Sequence, residues 1–372
     1  MASKQKRIKG YISSTLLLVM LLQAGCSFKD IDKRMFVVGI GIDPSEKVND
    51  GFKVTLKLAK PIGNVKQETT PTYVYLSNDS KSVADAVQIM ENRSDKVLDF
   101  GHSRIIVLNK EILSKKPEAY MDFFTRRGDI QMVSYVAAAE NTSEEILSFE
   151  PQLETPASIA LYNYFDNTGT ESGYILTTFL FEFRRALLGS GINTIIPIIG
   201  IDKENEEYKV DKSTIIRVGE KPFELTAEET KLFNTLENRT IGYTYKMEVE
   251  DHIMVLNFKQ SKMNYNLIAN EGNPRIDMNV TNVGVIAESN KRLNNNDLHK
   301  YNQMTKKDLE TKIVDLLTKF QENDVDPFGF GLRYRATRLS RKGIMDEWKS
   351  IYPEIKFNVK VNVELQGTGP IE

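Results

Sequence analysis

The chain has 372 residues, 41% hydrophobic and 27% charged, which describes a globular protein of two or three domains and excludes both a disordered chain and a multi-span membrane protein. Its 49 Lys and Arg nearly balance 51 Asp and Glu, for a formal charge of −2. One cysteine, Cys26, allows no intrachain disulfide, so the fold must rest on its hydrophobic core.

In chain order, Lys4, Lys6, Arg7 and Lys9 form a basic cluster, followed by the apolar stretch Leu16-Leu17-Leu18-Val19-Met20-Leu21-Leu22. That order predicts a secretory signal over residues 1–25. The apolar run is about half the ~20 residues that a bilayer-spanning helix needs. It ends in Leu22-Gln23-Ala24-Gly25-Cys26, which resembles the bacterial lipobox, with Gln23 where an aliphatic residue is usual. The expected lipidation site is Cys26, and the two chains of a diacylglyceryl group on its thiol anchor a protein stably. Without the four basic residues of the signal, 45 Lys and Arg face 51 Asp and Glu, a charge of −6. That balance argues against nucleic acid and acidic lipid surfaces as partners.

The mature part opens with the strand pattern Arg34-Met35-Phe36-Val37-Val38-Gly39-Ile40-Gly41-Ile42-Asp43, and Phe52, Val54, Leu56 and Leu58 alternate as a second strand. Tyr73 to Leu76 reads as a strand, and Val83, Val87 and Met90 recur at helical spacing within Ser82 to Asn92. Ile105 to Leu108 and Met132 to Ala139 return to strand, the latter leading into Asn141-Thr142-Ser143-Glu144-Glu145, a helix start with capping side chains and first-turn acids. Helices are expected over Pro156 to Phe165 and Ile175 to Leu188, then a buried strand at Ile195-Ile196-Pro197-Ile198-Ile199.

The polar run Asp202-Lys203-Glu204-Asn205-Glu206-Glu207 predicts a domain junction near residue 201, giving regions 26–201 and 202–372. Thr226-Ala227-Glu228-Glu229 is a capping-box pattern ahead of Leu232, Phe233 and Leu236 on one helix face. Strands are expected at Ile241 to Val249, Ile253 to Gln260 and Ile276 to Ala287. Leu309, Ile313, Leu316, Leu317 and Phe320 mark a long amphipathic helix, and Phe357 to Leu365 alternates as a final strand. The expected fold class is mixed α/β (α+β): an N-terminal mixed α/β region, then an α+β region with a largely antiparallel sheet.

A lipobox cysteine followed by Val38-Gly39-Ile40-Gly41-Ile42-Asp43, then Phe100-Gly101-His102-Ser103-Arg104-Ile105-Ile106-Val107, then Asp326-Pro327-Phe328-Gly329-Phe330-Gly331, and finally Trp348 before the alternating strand, resembles the Ger(x)C family. These are the C subunits of bacterial spore nutrient germinant receptors. The resemblance runs in order from about residue 16 to 367, although Ser27-Phe28 stands where the family often has Trp-Asp. It implies a non-catalytic, lipid-anchored subunit on the outer face of the spore inner membrane. Its implied partners are an integral-membrane A-type subunit and a permease-like B-type subunit, and it implies no cofactor.

The same residues also have structural readings. Gly39-x-Gly41 is no dinucleotide loop, because the third glycine falls at Pro44 and the flanks read as strand. Asp324-x-Asp326-x-x-Gly329 departs from a calcium loop at Phe328 and Arg335. His102, His252 and His299 are too dispersed for a local zinc site, and His102 reads as a turn or core residue. No Gly-x-Ser-x-Gly, His-Glu-x-x-His or phosphate-cradling Gly-Lys-Ser/Thr occurs. Glu182, Arg184 and Arg185 on an apolar helix read as a solvated face ahead of a functional polar spot. Two other function classes remain open: a lipid-anchored solute-binding receptor of a nutrient transporter, which calls for two similar lobes around a cleft, and an anchored wall-modifying enzyme, which calls for convergent acids or a nucleophile and base.

Overall fold

The computed structural model describes residues 33–59, 73–115, 117–151, 161–166, 172–239, 242–249, 251–269, 272–338 and 342–367. The signal segment, Cys26 and most of the helix expected at Pro156 to Phe165 lie outside them. The first half is built from β1 (Arg34–Pro44), β2 (Phe52–Ala59), β3 (Tyr73–Ser80), α1 (Val83–Glu91), β4 (Val97–Asp99), β5 (Ile105–Asn109), α2 (Lys110–Leu113), α3 (Glu118–Arg126), β6 (Tyr135–Ala139), α4 (Ser143–Ser148) and α5 (Leu180–Leu188), followed by β7 (Ile195–Asp202), β8 (Glu207–Ile215) and β9 (Phe223–Leu225). Eight strands follow the order β3-β2-β1-β5-β6-β7-β8-β9, and β4 pairs with β1. Four central strands, β1, β5, β6 and β7, are parallel and therefore all begin at one end of the sheet.

Both faces of the central strands are covered, which is why β5, β6 and β7 read as continuous apolar runs. Ile40, Ile42, Ile106, Leu108, Val136 and Ala138 belong to one core with residues of α1, α2, α3 and α5. Ile105, Val107, Tyr135, Ala137 and Ala139 belong to another, with Ile146 and Leu147 of α4 and with Leu161 and Phe165. The polar run 202–207 closes the hairpin of β7 and β8, which pair through Asp202 and Glu207, so the first sheet continues to Leu225.

The second half comprises α6 (Ala227–Leu236), β10 (Tyr243–Val249), β11 (His252–Ile268), β12 (Arg275–Ser289), α7 (Leu298–Glu322), α8 (Phe330–Ala336), α9 (Ile344–Ile351) and β13 (Lys356–Leu365). Its sheet has the order β10-β11-β12-β13, antiparallel except for the β12–β13 pair. One face packs on the helices, with Phe233 of α6, Leu309, Ile313, Leu316 and Phe320 of α7, Tyr334 of α8 and Trp348 of α9 in a single core. The other carries Lys262, Asn264, Asn358, Lys360 and Asn362, all exposed. The edge of β13 is shielded: its Val361 and Leu365 amides donate to Glu310 Oε1 and Asn302 Oδ1 of α7, at 2.9 and 3.0 Å. Covering unpaired edge amides in this way blocks strand addition by other chains.

The mixed α/β fold class matches the expected one, while β11 runs on to Ile268 beyond the expected Gln260, β8, β9, α3, α8 and α9 were not expected, and two further departures have a visible cause. The helix expected from Ile175 begins at Leu180, because Thr178 and Phe179 extend along β6: Val136 N donates to Thr178 O, Leu180 N to Ser134 O, and Thr178 Oγ1 to Ile195 O. The strand expected from Met132 begins at Tyr135, because Ser134 closes a turn onto Gln131 O.

Candidate functional site

The motif residues fall into two buried polar knots, one in each half. At the carboxyl end of β1, Asp43 is 4% exposed. Its Oδ1 accepts from Ser143 N at 2.7 Å and Asn109 Nδ2 at 3.1 Å, and its Oδ2 from Ser143 Oγ at 2.6 Å and Glu144 N at 3.1 Å. A carboxylate from a distant strand thus satisfies the free amides that open α4. Gly39 and Gly41 supply the space: a Cβ on Gly41 would lie 2.5 Å from Ser143 Oγ, and one on Gly39 2.9 Å from Leu147 Cδ2. Their role is close approach of α4 to the strand. Beside them Lys57 is buried, donates from Nζ to Leu147 O at 3.0 Å, and sits 5.0 Å from the Tyr73 ring centroid. Burial pushes its ammonium down to about 8.

The second knot is the segment Asp326 to Gly331. Asp326 is 5% exposed, its Oδ1 accepting from Phe330 N at 3.0 Å and its Oδ2 from Gly331 N at 2.7 Å. Its main chain pairs with Asn193: Asp326 N donates to Asn193 Oδ1 at 2.8 Å, and Asn193 N to Asp326 O at 2.9 Å. Leu332 N donates to Gly191 O at 2.6 Å, so the loop before β7 is tied to the loop before α8. Gly329 has φ +71°, the left-handed region that favours glycine. Burial pushes the Asp326 carboxyl up to about 7 against the opposing pull of the backbone amides. A cleft of about 520 Å³ opens beside this knot, with Asp326, Asn193, Arg217, Trp348 and Tyr352 in its wall. The buried Thr194 Oγ1 there has no hydrogen-bond partner among the described residues.

The remaining candidates are dispersed. His102 ends a short 3-10 turn whose Gly101 amide donates to Asp99 Oδ1; it is exposed, with its ring edge-on to Phe36 at 4.7 Å. His252 Nε2 lies 3.0 Å from Ser289 Oγ, burial lowers its pKa, and His299 is exposed on α7. Among the described residues, no three His, Cys, Asp or Glu side chains gather to hold a metal, and no helix is long and apolar enough to cross a membrane. Glu182 caps α5 by accepting from Phe179 N at 3.1 Å, while Arg184 and Arg185 are exposed. Sequence reading missed that Asp43 and Asp326 both serve backbone amides. An acid directly after an apolar strand and one just before a Gly-x-Gly turn were the only signals.

Residues 27–201 match the model of the spore germination protein N-terminal domain, and residues 216–369 match the spore germination B3/GerAC-like C-terminal model. The chain is similar to the spore germination protein GerQC of Bacillus cereus, 21% identical over 290 residues that cover 75% of this chain and 78% of that one. The crystal structure of the GerBC protein shares the fold at a TM-score of 0.55 and 16% identity, over 91% of this chain and all of that one.

Proposed function

We propose, from the premise that this chain belongs to the GerAC-like spore germination family as a germinant receptor C subunit, that it is a lipoprotein of the spore inner membrane, anchored through Cys26 on the extracytoplasmic face. There it docks with the A- and B-type membrane subunits and transmits nutrient binding without catalysing a reaction. The observation that carries this reading is the match of both family regions, in order, over 27–201 and 216–369. Docking is favoured over catalysis because Asp43 and Asp326 are each committed to main-chain amides. A nine-stranded and a four-stranded sheet are also unlike the two similar lobes of a solute-binding receptor. We read 26–201 and 202–372 as the two family modules, the second lending β8 and β9 to the first sheet.

A lipid tether confines the protein to a shell near the membrane and raises its effective concentration toward membrane subunits. Three experiments test the reading. Cys26→Ala should yield an uncleaved or released protein, and a processed, membrane-bound mutant would reject thioether anchoring. Deletion should abolish the nutrient response while receptor-independent germination persists, and tagged protein should recover A- and B-type subunits from detergent-solubilised spores. Intact nutrient germination with neither subunit recovered would reject the docking role.

A further inference from the structure

We infer that the end of the first sheet at which the parallel strands begin is a second membrane contact, resting on the headgroup region of an anionic phospholipid bilayer. The large apolar side chains most exposed among the described residues are Val97, Val133, Phe181, Leu188 and Val218, at 63, 56, 44, 53 and 51%. All five fall at this end. Phe181 and Val133 stand opposite each other, since Phe181 N donates to Met132 O and Leu180 N to Ser134 O just before β6 starts. Val97 lies in β4, which pairs with β1 and leads through the 3-10 turn into the start of β5. Val218 follows the end of β8, where Ile215 pairs with Ile195 at the start of β7 and Ile216 N donates to Thr194 O. Leu188 closes α5, whose residues Leu187 and Gly189 share a cleft wall with Val218.

Cations flank this apolar set. Arg184 and Arg185 lie between Phe181 and Leu188 on the exposed face of α5, and Arg104 is exposed beside the start of β5. None of these three forms an ion pair among the described residues, whereas Arg217 and Arg127 at the same end are paired with Glu220 and Asp129. Exposed aromatic and aliphatic side chains among arginines suit the bilayer interface, where the apolar groups enter the headgroup boundary and the cations meet phosphate. The net charge of −6 argues against an acidic surface as partner of the chain as a whole, but screening over about 8 Å at physiological salt leaves the local patch decisive.

The bilayer is favoured as occupant by chain length. Cys26 precedes Met35 of β1 by nine residues, and nine residues reach at most about 30 Å. The inference therefore rests on the lipid-anchor reading, but the two can fail separately. The mature chain carrying Cys26→Ala, and so no acyl group, should co-sediment with vesicles containing phosphatidylglycerol and not with pure phosphatidylcholine, with binding weakened by salt. Phe181→Ser with Leu188→Ser, and separately Arg184→Ser with Arg185→Ser, should each weaken partitioning about tenfold without changing thermal unfolding. Lys262→Ser with Lys360→Ser on the open face of the second sheet should leave it unchanged. No vesicle binding by the parent, equal loss in the second-sheet control, or loss of A- or B-subunit capture by the Phe181/Leu188 variant without loss of vesicle binding would overturn the inference, the last by making the occupant a protein. A Cys26 found unlipidated in cells, with vesicle binding intact, would sink the anchor alone.

Discussion

The two sheets bury their strands differently. Neighbouring residues of β5, Ile106 and Val107, are 1% and 0% exposed because they enter separate cores on opposite faces. Neighbouring residues of β13, Val361 and Asn362, divide between a core and solvent. Among the described residues, the central strands of the first sheet therefore have no free face, and what they can offer to a partner lies at their ends. The second sheet keeps a broad polar face, and the edge of β13 is shielded by α7. In this molecule the pattern of burial decides where contact surfaces can lie.

The sharpest test compares those neighbours. In urea unfolding, Ile106→Ala should cost about 2–5 kcal/mol and Val107→Ala at least about 2, since each deletes core volume that cannot refill. Val361→Ala should likewise cost about 2, while Asn362→Ala should stay within about 0.5 kcal/mol. A neutral Val107→Ala would break the two-core description of the first sheet.

The knot that ties the loop before β7 to the loop before α8 should respond less. Gly329→Val forces a branched side chain into a left-handed backbone, with its Cβ 3.1 Å from Ile192 Cδ1, and should cost about 2–3 kcal/mol. Unchanged melting together with lost germination would reassign this segment as a contact site.

Asp326→Asn should have the smaller effect of about 1 kcal/mol, as one of the two side-chain oxygens that accept from backbone amides is lost. It also carries a pH signature. With its pKa raised to about 7, the folded state holds a proton that the unfolded chain has released between about pH 4 and 7. The native state binds more protons there, so this group's contribution to stability falls as pH rises through that window and levels off above it. The Asn variant should lose that slope in denaturation curves taken from pH 4 to 8. An identical slope in both proteins would show that Asp326 ionises normally.

Much of this was legible in the chain. Uninterrupted apolar runs such as Ile195 to Ile199 announced strands covered on both faces, and the strict alternation of Phe357 to Leu365 announced one that is half-solvated, because side chains on a strand alternate between faces. The capping box at Thr226 and the periodicity of Leu309 to Phe320 set their helices, since both signals are local. The late start of α5 was not local: apolar spacing suggested a helix from Ile175, but pairing with β6 claimed Thr178 and Phe179 for extended structure. The partners of Asp43 lie about 100 residues away at Ser143 and Glu144, and Asn193 meets Asp326 across 133 positions. By itself the sequence determined the types of the strongly periodic and capped elements, the glycine positions and the basic, apolar and cysteine order at the N-terminus, because period, capping chemistry and composition act over a few residues. Only the tertiary structure decided which amides the buried acids satisfy, why Gly39 and Gly41 must lack side chains, and that five exposed apolar residues scattered from 97 to 218 gather at one end. Those facts depend on long-range strand order, which no short stretch of chain encodes.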